Sequence, residues 1–469
     1  MVHSKLIILL LMLSFQLSGQ KTVLTGKATD YTAKEITFYT LSDPVLREKL
    51  ELATTSVGSD GSFSLSFTVA RTIEICADLE KYCGTMVIEP GKSYEITLPP
   101  YSLRNSVEAH SPYFKPAPYW LGLPGRDTID VNYAVRSFIT EFNSETVKNT
   151  NAIYQKKSKA AVAEIIERLK KKYGSVENSY FKTLVNYYFA ELEYTVNERT
   201  PGLIIQKYFA INRVELHHPV YQRAFEMLFT DYLRKQAMEI QNRKLTTSVN
   251  HGNYLELVDF FEKKGFKKEF AELVVLKGLN DGYYTGSFSK EGVLKALEMA
   301  QTATTSESLR PIAQQIRTKL SHLATGGKAP ALKLANLKNE TVSLDQFKGK
   351  FVLLSFINSK SSDCKAELDS MVTLEKKLRQ VLVMVSVSTD DNFDNAVQFW
   401  KTKGYTWPLL NGAKQKQLIS SYNASVTPAF YLIDPNGMLK LSPSPSPSRG
   451  FEPLFLKLFR DFSFKQQRN

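Results

Sequence analysis

Cysteine is scarce in this chain: of 469 residues only three are cysteine, at positions 76, 83 and 364, and three cannot all pair with one another. Long apolar runs are scarcer still. The stretch Leu6-Ile-Ile-Leu-Leu-Leu-Met-Leu-Ser-Phe15 falls short of the about 20 residues that a hydrocarbon core requires. Nothing later is apolar for long enough either, which excludes an integral membrane segment from the mature chain. With Lys5 before it and the small residues Ser18 and Gly19 after it, the stretch reads as a secretory signal peptide over 1–19, cleaved just before Gln20 or Lys21. No cysteine follows it, so a lipid-anchored N-terminus is not expected. The pattern of a metal site is missing too. His217-His218 is the one adjacent histidine pair, and no Cys, Asp or Glu lies near it at a familiar ligand spacing. These two, like His110, His251 and His322, read as helix-boundary polar residues, and neither a metal nor a cofactor is expected. No strict repeat period marks a solenoid.

Charge is unbalanced, with 60 basic against 47 acidic residues and a net +13. Such an excess favours anionic surfaces. Here, however, the basic residues are spread along helices and are densest at Arg168-Leu-Lys-Lys-Lys172, where a lysine run on an amphipathic helix is a solvated face. Nucleic acid is not an expected partner of an exported chain.

What is present falls into three zones. Over 20–105, short runs such as Gly61-Ser-Phe-Ser-Leu-Ser-Phe67 and Thr72-Ile-Glu-Ile-Cys76 alternate apolar and polar residues. Turn signals separate them, among them Gly58-Ser-Asp-Gly61 and Glu89-Pro-Gly-Lys92. This predicts an antiparallel β-sandwich-like domain. Cys76 and Cys83 flank residues 77–82, and a chain reversal at Leu79-Glu80 sets their sulfurs directly across a hairpin. A structural disulfide, two unpaired thiols and a redox-active pair on an exposed edge are the competing readings; an oxidising compartment favours the first.

Over 106–325 the apolar period lengthens to that of a helix. Tyr180, Phe181, Leu184, Val185, Tyr188, Phe189 and Leu192 share one stripe, and further stripes run through 160–173, 220–238, 254–261, 270–279 and 293–299. An all-α helical region follows, its aromatic stripes serving as core rather than as a ligand platform.

Over 326–469, strands and helices alternate. Phe351-Val-Leu-Leu-Ser-Phe356 and Val381-Leu-Val-Met-Val-Ser-Val387 predict two buried parallel strands around one helix in a right-handed crossover. Residues 394–403, 416–422 and 451–462 predict helices, and Ala429-Phe-Tyr-Leu-Ile433 predicts a strand. Its hairpin partner is Gly437-Met-Leu-Lys-Leu441, after the turn Asp434-Pro-Asn-Gly. Ser442-Pro-Ser-Pro-Ser-Pro-Ser448 reads as an extended connector.

Four stretches in this last zone carry a resemblance: Lys328-Ala-Pro330, Val342-Ser-Leu-Asp-Gln-Phe-Lys-Gly-Lys350, the turn over 356–367, and Val426-Thr-Pro-Ala-Phe-Tyr-Leu-Ile-Asp434. On these, 326–469 resembles the thioredoxin-like superfamily, in its exported TlpA/ResA-type and AhpC/TSA-type branch. The resemblance implies an α/β thioredoxin-like domain with a Cys-x-x-Cys active site. Its first cysteine caps a helix whose amides and dipole stabilise the thiolate, and its second resolves the mixed disulfide. Here the motif is Ser361-Ser362-Asp363-Cys364. A hydroxyl neither attacks disulfides usefully nor forms one, so the missing sulfur removes the cycle. Lys360 replaces the family's tryptophan, and Asp363, in place of proline, sets a negative charge beside Cys364 that opposes thiolate formation. Pro428, preceded by Thr427, matches the family's cis-proline, which presents a backbone edge to a bound chain; the bland alternative is that it only shapes the fold.

The resemblance thus implies a soluble, exported protein of a Gram-negative-type periplasm that lacks the redox dithiol and binds an exported polypeptide or an envelope protein partner. The rival is a thiol-dependent oxidoreductase, by disulfide exchange or one-cysteine peroxidase chemistry, working through Cys364. Ser361-x-x-Cys364-x-x-Glu367 echoes the peroxidase pattern, but Ile357 stands at its proline and Thr427-Pro428 where its arginine belongs.

Overall fold

A computed structural model describes residues 19–105, 108, 114–125 and 130–466. The expected signal peptide, but for Gly19, and His110 lie outside them. The chain divides into two compact units, Met1–Ala313 and Gln314–Asn469, the boundary falling inside the helix Arg310–His322.

In the first unit the alternating runs become β1 (Gln20–Lys27), β2 (Glu35–Leu41), β3 (Lys49–Ser56), β4 (Ser62–Val69), β5 (Ile73–Leu79), β6 (Tyr82–Ile88), β7 (Ser93–Ile96) and β8 (Ala117–Trp120). Period two explains them: along β4, Phe63, Leu65, Phe67 and Val69 are buried while the serines and threonine between them are exposed. Two sheets form, β4-β1-β7 and β3-β2-β5-β6-β8. One apolar cluster draws on both, through Leu24, Phe38, Phe63, Ile75, Met86 and Tyr94. Strand β8, from the zone read as helical, joins the second sheet parallel to β6.

The hairpin of β5 and β6 turns at Glu80-Lys81, Glu80 taking a φ of 57°, one residue later than the sequence suggests. Leu79 is the reason. Only 2% exposed, it belongs to the core and stays in the strand, leaving the charged pair to make the turn. Asp78 is then paired with Cys83, and Cys76 with Thr85. The two cysteines share a face but stand diagonally, not opposite each other, and both are free thiols.

The helical zone contains α1 (Val131–Lys148), α2 (Lys159–Tyr173), α3 (Ser179–Val196), α4 (Pro201–Ile205), α5 (Pro219–Phe229), α6 (Tyr232–Met238), α7 (Arg243–His251), α8 (Tyr254–Lys263), α9 (Lys268–Gly282), α10 (Lys290–Ala303) and α11 (Arg310–His322). Side-chain oxygens of Asp130, Ser158, Asn178, Asn253 and Ser289 cap helix starts by accepting first-turn amides. The single stripe expected over 220–238 is two helices, because Asp231 adopts a φ of 59° and breaks it. The aromatic stripes do become core: Phe138 meets Tyr173, Phe181 and Tyr188 edge-on at 5.4, 5.9 and 5.5 Å.

These helices pack on part of the outer face of the second sheet, around Glu74 and Val87. Asn132 accepts from Val87 N at 2.7 Å and donates to Val87 O at 2.8 Å, and the Tyr180 hydroxyl donates to Glu74 at 3.4 Å. The histidine pair belongs to this packing. His217 Nδ1 lies 2.9 Å from Ser42 O, while His218 stacks on the Tyr180 ring at 4.3 Å with Nε2 3.2 Å from Tyr180 O. Among the described residues no helix is long and apolar enough to cross a membrane.

The second unit runs β9 (Lys333–Ala335), β10 (Thr341–Ser343), β11 (Phe351–Ile357), α12 (Ser362–Leu378), β12 (Leu382–Ser388), α13 (Phe393–Lys403), β13 (Leu409–Asn411), α14 (Lys416–Ser421), β14 (Ala429–Ile433), β15 (Leu439–Leu441) and α15 (Phe451–Gln466). Its sheet has the order β13-β12-β11-β14-β15, with β11, β12 and β13 parallel and β14 antiparallel to β11. Every residue of β11 is buried because the sheet is covered on both faces. On one side Phe351, Leu353 and Ile357 meet Leu368, Trp400 and Phe455; on the other Val352, Leu354 and Phe356 meet Leu334, Val342 and Tyr422. The expected turn after β14 forms as Asp434 Oδ1 accepts the amides of Asn436 and Met438, both at 2.9 Å, with Gly437 at a φ of 82°.

Candidate functional site

Strand β11 ends at Ile357, and α12 begins at Ser362 after four intervening residues. Ser361 has the extended backbone of a cap, and its hydroxyl accepts the Cys364 amide at 3.3 Å. The position of the lost first cysteine is therefore filled by a side chain that closes the helix end. Cys364 follows in the first turn and is fully buried against Ile357, Leu368 and Met371. Its Sγ accepts the Asn358 amide at 3.4 Å. It is the only cysteine of this unit.

The turn between strand and helix is held from two directions. Asn358 Oδ1 accepts the Lys360 amide at 2.9 Å, and Asn358 O accepts the Ser361 amide at 3.1 Å. Buried Asp390, just past β12, accepts Ser359 N at 3.0 Å, Ser359 Oγ at 2.6 Å and Ser388 Oγ at 2.8 Å. A carboxylate so provided with donors fixes the turn to the end of the neighbouring strand.

The Thr427–Pro428 peptide is cis. Because β14 is antiparallel to β11 with Ala429 opposite Phe356, Pro428 lies just beyond the ladder, at the end of the sheet where β11 runs into the turn to Ser361. The structure thus brings Ser361, Cys364, Thr427 and Pro428 to one end of the sheet. Val426, the residue before Thr427, is 61% exposed.

Asp390 escaped the sequence reading, and so did the role of Glu367, which the sequence marks only by its echo of the peroxidase pattern. Glu367 lies one turn beyond Cys364, is buried, and accepts from Ser446 Oγ at 2.7 Å, Ser448 N at 3.0 Å and Ser448 Oγ. The Ser-Pro connector is consequently docked on α12, and Ser444 N donates to Phe430 O at 2.7 Å. No local signal announces these ties, since the partners of Glu367 lie 79 and 81 residues away.

Cys76 and Cys83 belong to the first unit and to a different environment. The Tyr39 hydroxyl lies 2.9 Å from Asp78 Oδ1 and 3.5 Å from Cys83 Sγ. The Lys49 ammonium pairs with Asp78 and sits 4.3 Å over the Tyr39 ring. The Cys83 thiol is held below the ordinary cysteine range, first by its neighbour Cys76 and then by Tyr39 and Lys49, against burial and the facing Asp78 carboxylate. Cys76, the more deeply buried of the two, is pushed up by its neighbour Cys83 and by burial. Among the described residues no group of three or more His, Cys, Asp or Glu side chains is placed to hold a metal ion.

Known proteins match the second unit. The AhpC/TSA family pattern covers residues 325–442. Thioredoxin-like protein YneN of Bacillus subtilis is 30% identical over 118 residues, spanning 24% of this chain and 68% of YneN. Thiol-disulfide oxidoreductase ResA of Geobacillus kaustophilus is 28% identical over 124 residues, 26% of this chain and 71% of ResA. The thioredoxin domain of a thiol-disulfide oxidoreductase from Bacteroides vulgatus is similar in structure with 28% identity and a TM-score of 0.25, over 26% of this chain and 89% of that domain. With strand order, cis-proline and active-site turn all in place, the chain belongs to the thioredoxin-like family, in its TlpA/ResA-type branch.

Proposed function

We propose that residues 326–469 form a thioredoxin-like domain that works without a dithiol, binding an exported polypeptide or an envelope protein partner at the edge made by Ser361, Thr427 and Pro428. One observation carries the reading. The surviving sulfur is sealed, with Cys364 at 0% exposure, while the cis-proline edge beside it is retained. A buried thiol is out of reach of disulfides and peroxides, and the Ser361 hydroxyl is occupied as a cap. Exposed Val426 offers apolar surface next to that edge for a bound chain to cover.

The Leu6 to Phe15 stretch supports export to a periplasm. The two N-terminal sheets, as a β-sandwich-like domain over 20–105, and the helical region over 106–325 then act as scaffold. The thiol-dependent alternative, disulfide exchange or one-cysteine peroxidase chemistry, requires the Cys364 sulfur to be uncovered.

Insulin reduction and peroxide consumption by the full chain and by Cys364→Ser separate the two. The expected result is the same background rate for both proteins in both assays; turnover that depends on Cys364 overturns the reading. A photo-crosslinking side chain at Val426 tests binding directly. Capture of exported polypeptides that is lost in Pro428→Ala supports it, and recovery of none counts against it.

A further inference from the structure

We propose that Cys76 and Cys83 form a second thiol site in this protein, a dithiol on the outer face of the N-terminal sheet that exchanges with small-molecule disulfides and closes reversibly into a Cys76–Cys83 bond. It lies outside the thioredoxin-like unit and does not depend on the function proposed for that unit.

Register is the first argument. Cys76 pairs with Thr85 and Asp78 with Cys83, so the cysteines occupy one diagonal of the β5–β6 ladder. Diagonal residues stand about 7–8 Å apart between Cα atoms, against about 4.4–6.8 Å for an unstrained disulfide. A bond there forms only if the strands give way. Bonds of that kind are more easily reduced, and they belong to switching rather than structural cysteines. The free-thiol state follows from the same geometry.

The surroundings supply the second argument. Both side chains are half-buried and share one face of the β5–β6 ladder. Tyr39 stands opposite Cys76 in the ladder with β2, and its hydroxyl reaches Cys83 at 3.5 Å and Asp78 at 2.9 Å. Lys49, paired with Asp78, adds positive charge beside Cys83. Cys76, the Tyr39 hydroxyl and the Lys49 ammonium surround the Cys83 sulfur and together outweigh its partial burial and the facing Asp78 carboxylate, so its proton is held weakly. Cys76 keeps its proton, as a resolving thiol does until it is needed.

The chemistry balances. The Cys83 thiolate attacks one sulfur of R–S–S–R, forming Cys83–S–S–R and expelling R–S⁻. Cys76 then gives up its proton and attacks Cys83 Sγ, forming the Cys76–Cys83 bond and expelling a second R–S⁻. Two electrons pass from the protein dithiol to the substrate disulfide, and the two thiol protons end on the two released thiolates.

The test uses the full mature chain and glutathione disulfide, with peptide mapping of the products. The unsubstituted protein is expected to lose two hydrogens, to yield a linked Cys76–Cys83 peptide, and to recover its thiols in millimolar reduced glutathione. Cys76→Ser is expected to accumulate the mixed disulfide on Cys83, because nothing resolves it. In Cys83→Ser, glutathionylation of Cys76 is expected to be slower by about tenfold or more. Because either serine variant can disturb the sheet, the unsubstituted protein supplies a second reading, in which iodoacetamide labels Cys83 ahead of Cys76 at pH 7. The proposal is overturned by equal labelling of the two, by double glutathionylation without closure, or by a Cys76–Cys83 bond that millimolar reduced glutathione leaves intact.

Discussion

Two cysteine environments coexist in this chain, and the motif marks the wrong one for reactivity. Cys364 sits where the family resolves mixed disulfides, yet its sulfur packs into the core with Ile357, Leu368 and Met371. Cys76 and Cys83 lie in no recognised motif, yet they are partly accessible, share one face of a ladder, and are flanked by Tyr39, Asp78 and Lys49. Position in a fold specifies where a thiol stands. Its reactivity depends on which donors, charges and solvent reach the sulfur.

The largest expected effect breaks the comparison outright if it fails. In the native protein at pH 7, alkylation of Cys83 should outpace that of Cys364 by about a hundredfold, because Cys364 reacts only after local opening. Quenched iodoacetamide labelling with peptide mapping measures the ratio. Because its proton is held weakly, the Cys83 rate should also level off at a lower pH than that of a free cysteine thiol, whose pKa is about 8.5. A rate still rising steeply between pH 8 and 9 would contradict the environment described for Cys83.

Next comes repair of the motif. Ser361→Cys places a sulfur at the half-buried cap position, where the helix amides favour a thiolate. Insulin reduction should rise about tenfold or more above the unsubstituted chain. No gain would mean that Lys360 and Asp363, and not the absent sulfur alone, disable the turn.

Stability effects are smaller and sharpen the contrast between the units. Glu367→Ala leaves Ser446 and Ser448 without their buried acceptor and should cost about 2 kcal/mol in urea unfolding. Loss of order in the Ser-Pro segment should accompany it. In the first unit, burial lowers His218 to about 4, against about 6.5 when unfolded. Between those values the unfolded chain binds the extra proton, so the His218 contribution to stability rises with pH across that window and falls as pH drops from about 6.5 to 4. Relative to His218→Gln, the protein should lose about 1.4 kcal/mol per pH unit there. Parallel curves for the two proteins would show that His218 does not titrate as described.

Much of the second unit was legible from residues alone. Phe351 to Phe356 reads as a buried strand because every residue is apolar or small, and Asp434-Pro-Asn-Gly437 reads as a turn because each member has a local reason to be there. The candidate site was legible in its identities, Ser361, Cys364, Thr427 and Pro428, but not in its supports. Asp390 holds Ser359 across 31 residues, and the Ser442 to Ser448 segment, polar as read, is docked by the Glu367 carboxylate on α12 and by Phe430 O. In the helical zone, the break at Asp231 inside one continuous stripe carries no glycine or proline to announce it. The Cys76–Cys83 register was missed by one residue at the turn, because the pull of the core on Leu79 is not a property of the turn sequence.

The sequence by itself determined the order of zones, the alternation of strands and helices in the thioredoxin-like unit, and the loss of one sulfur from the active-site turn. These rest on local periodicity and on covalent identity, which need no neighbours from afar. Tertiary structure alone decided that Cys364 faces the core, that Glu367 and Asp390 act as ties, and that the other two cysteines meet on a diagonal. Each of these outcomes depends on which distant segments the apolar cores bring together, and in what register they arrive.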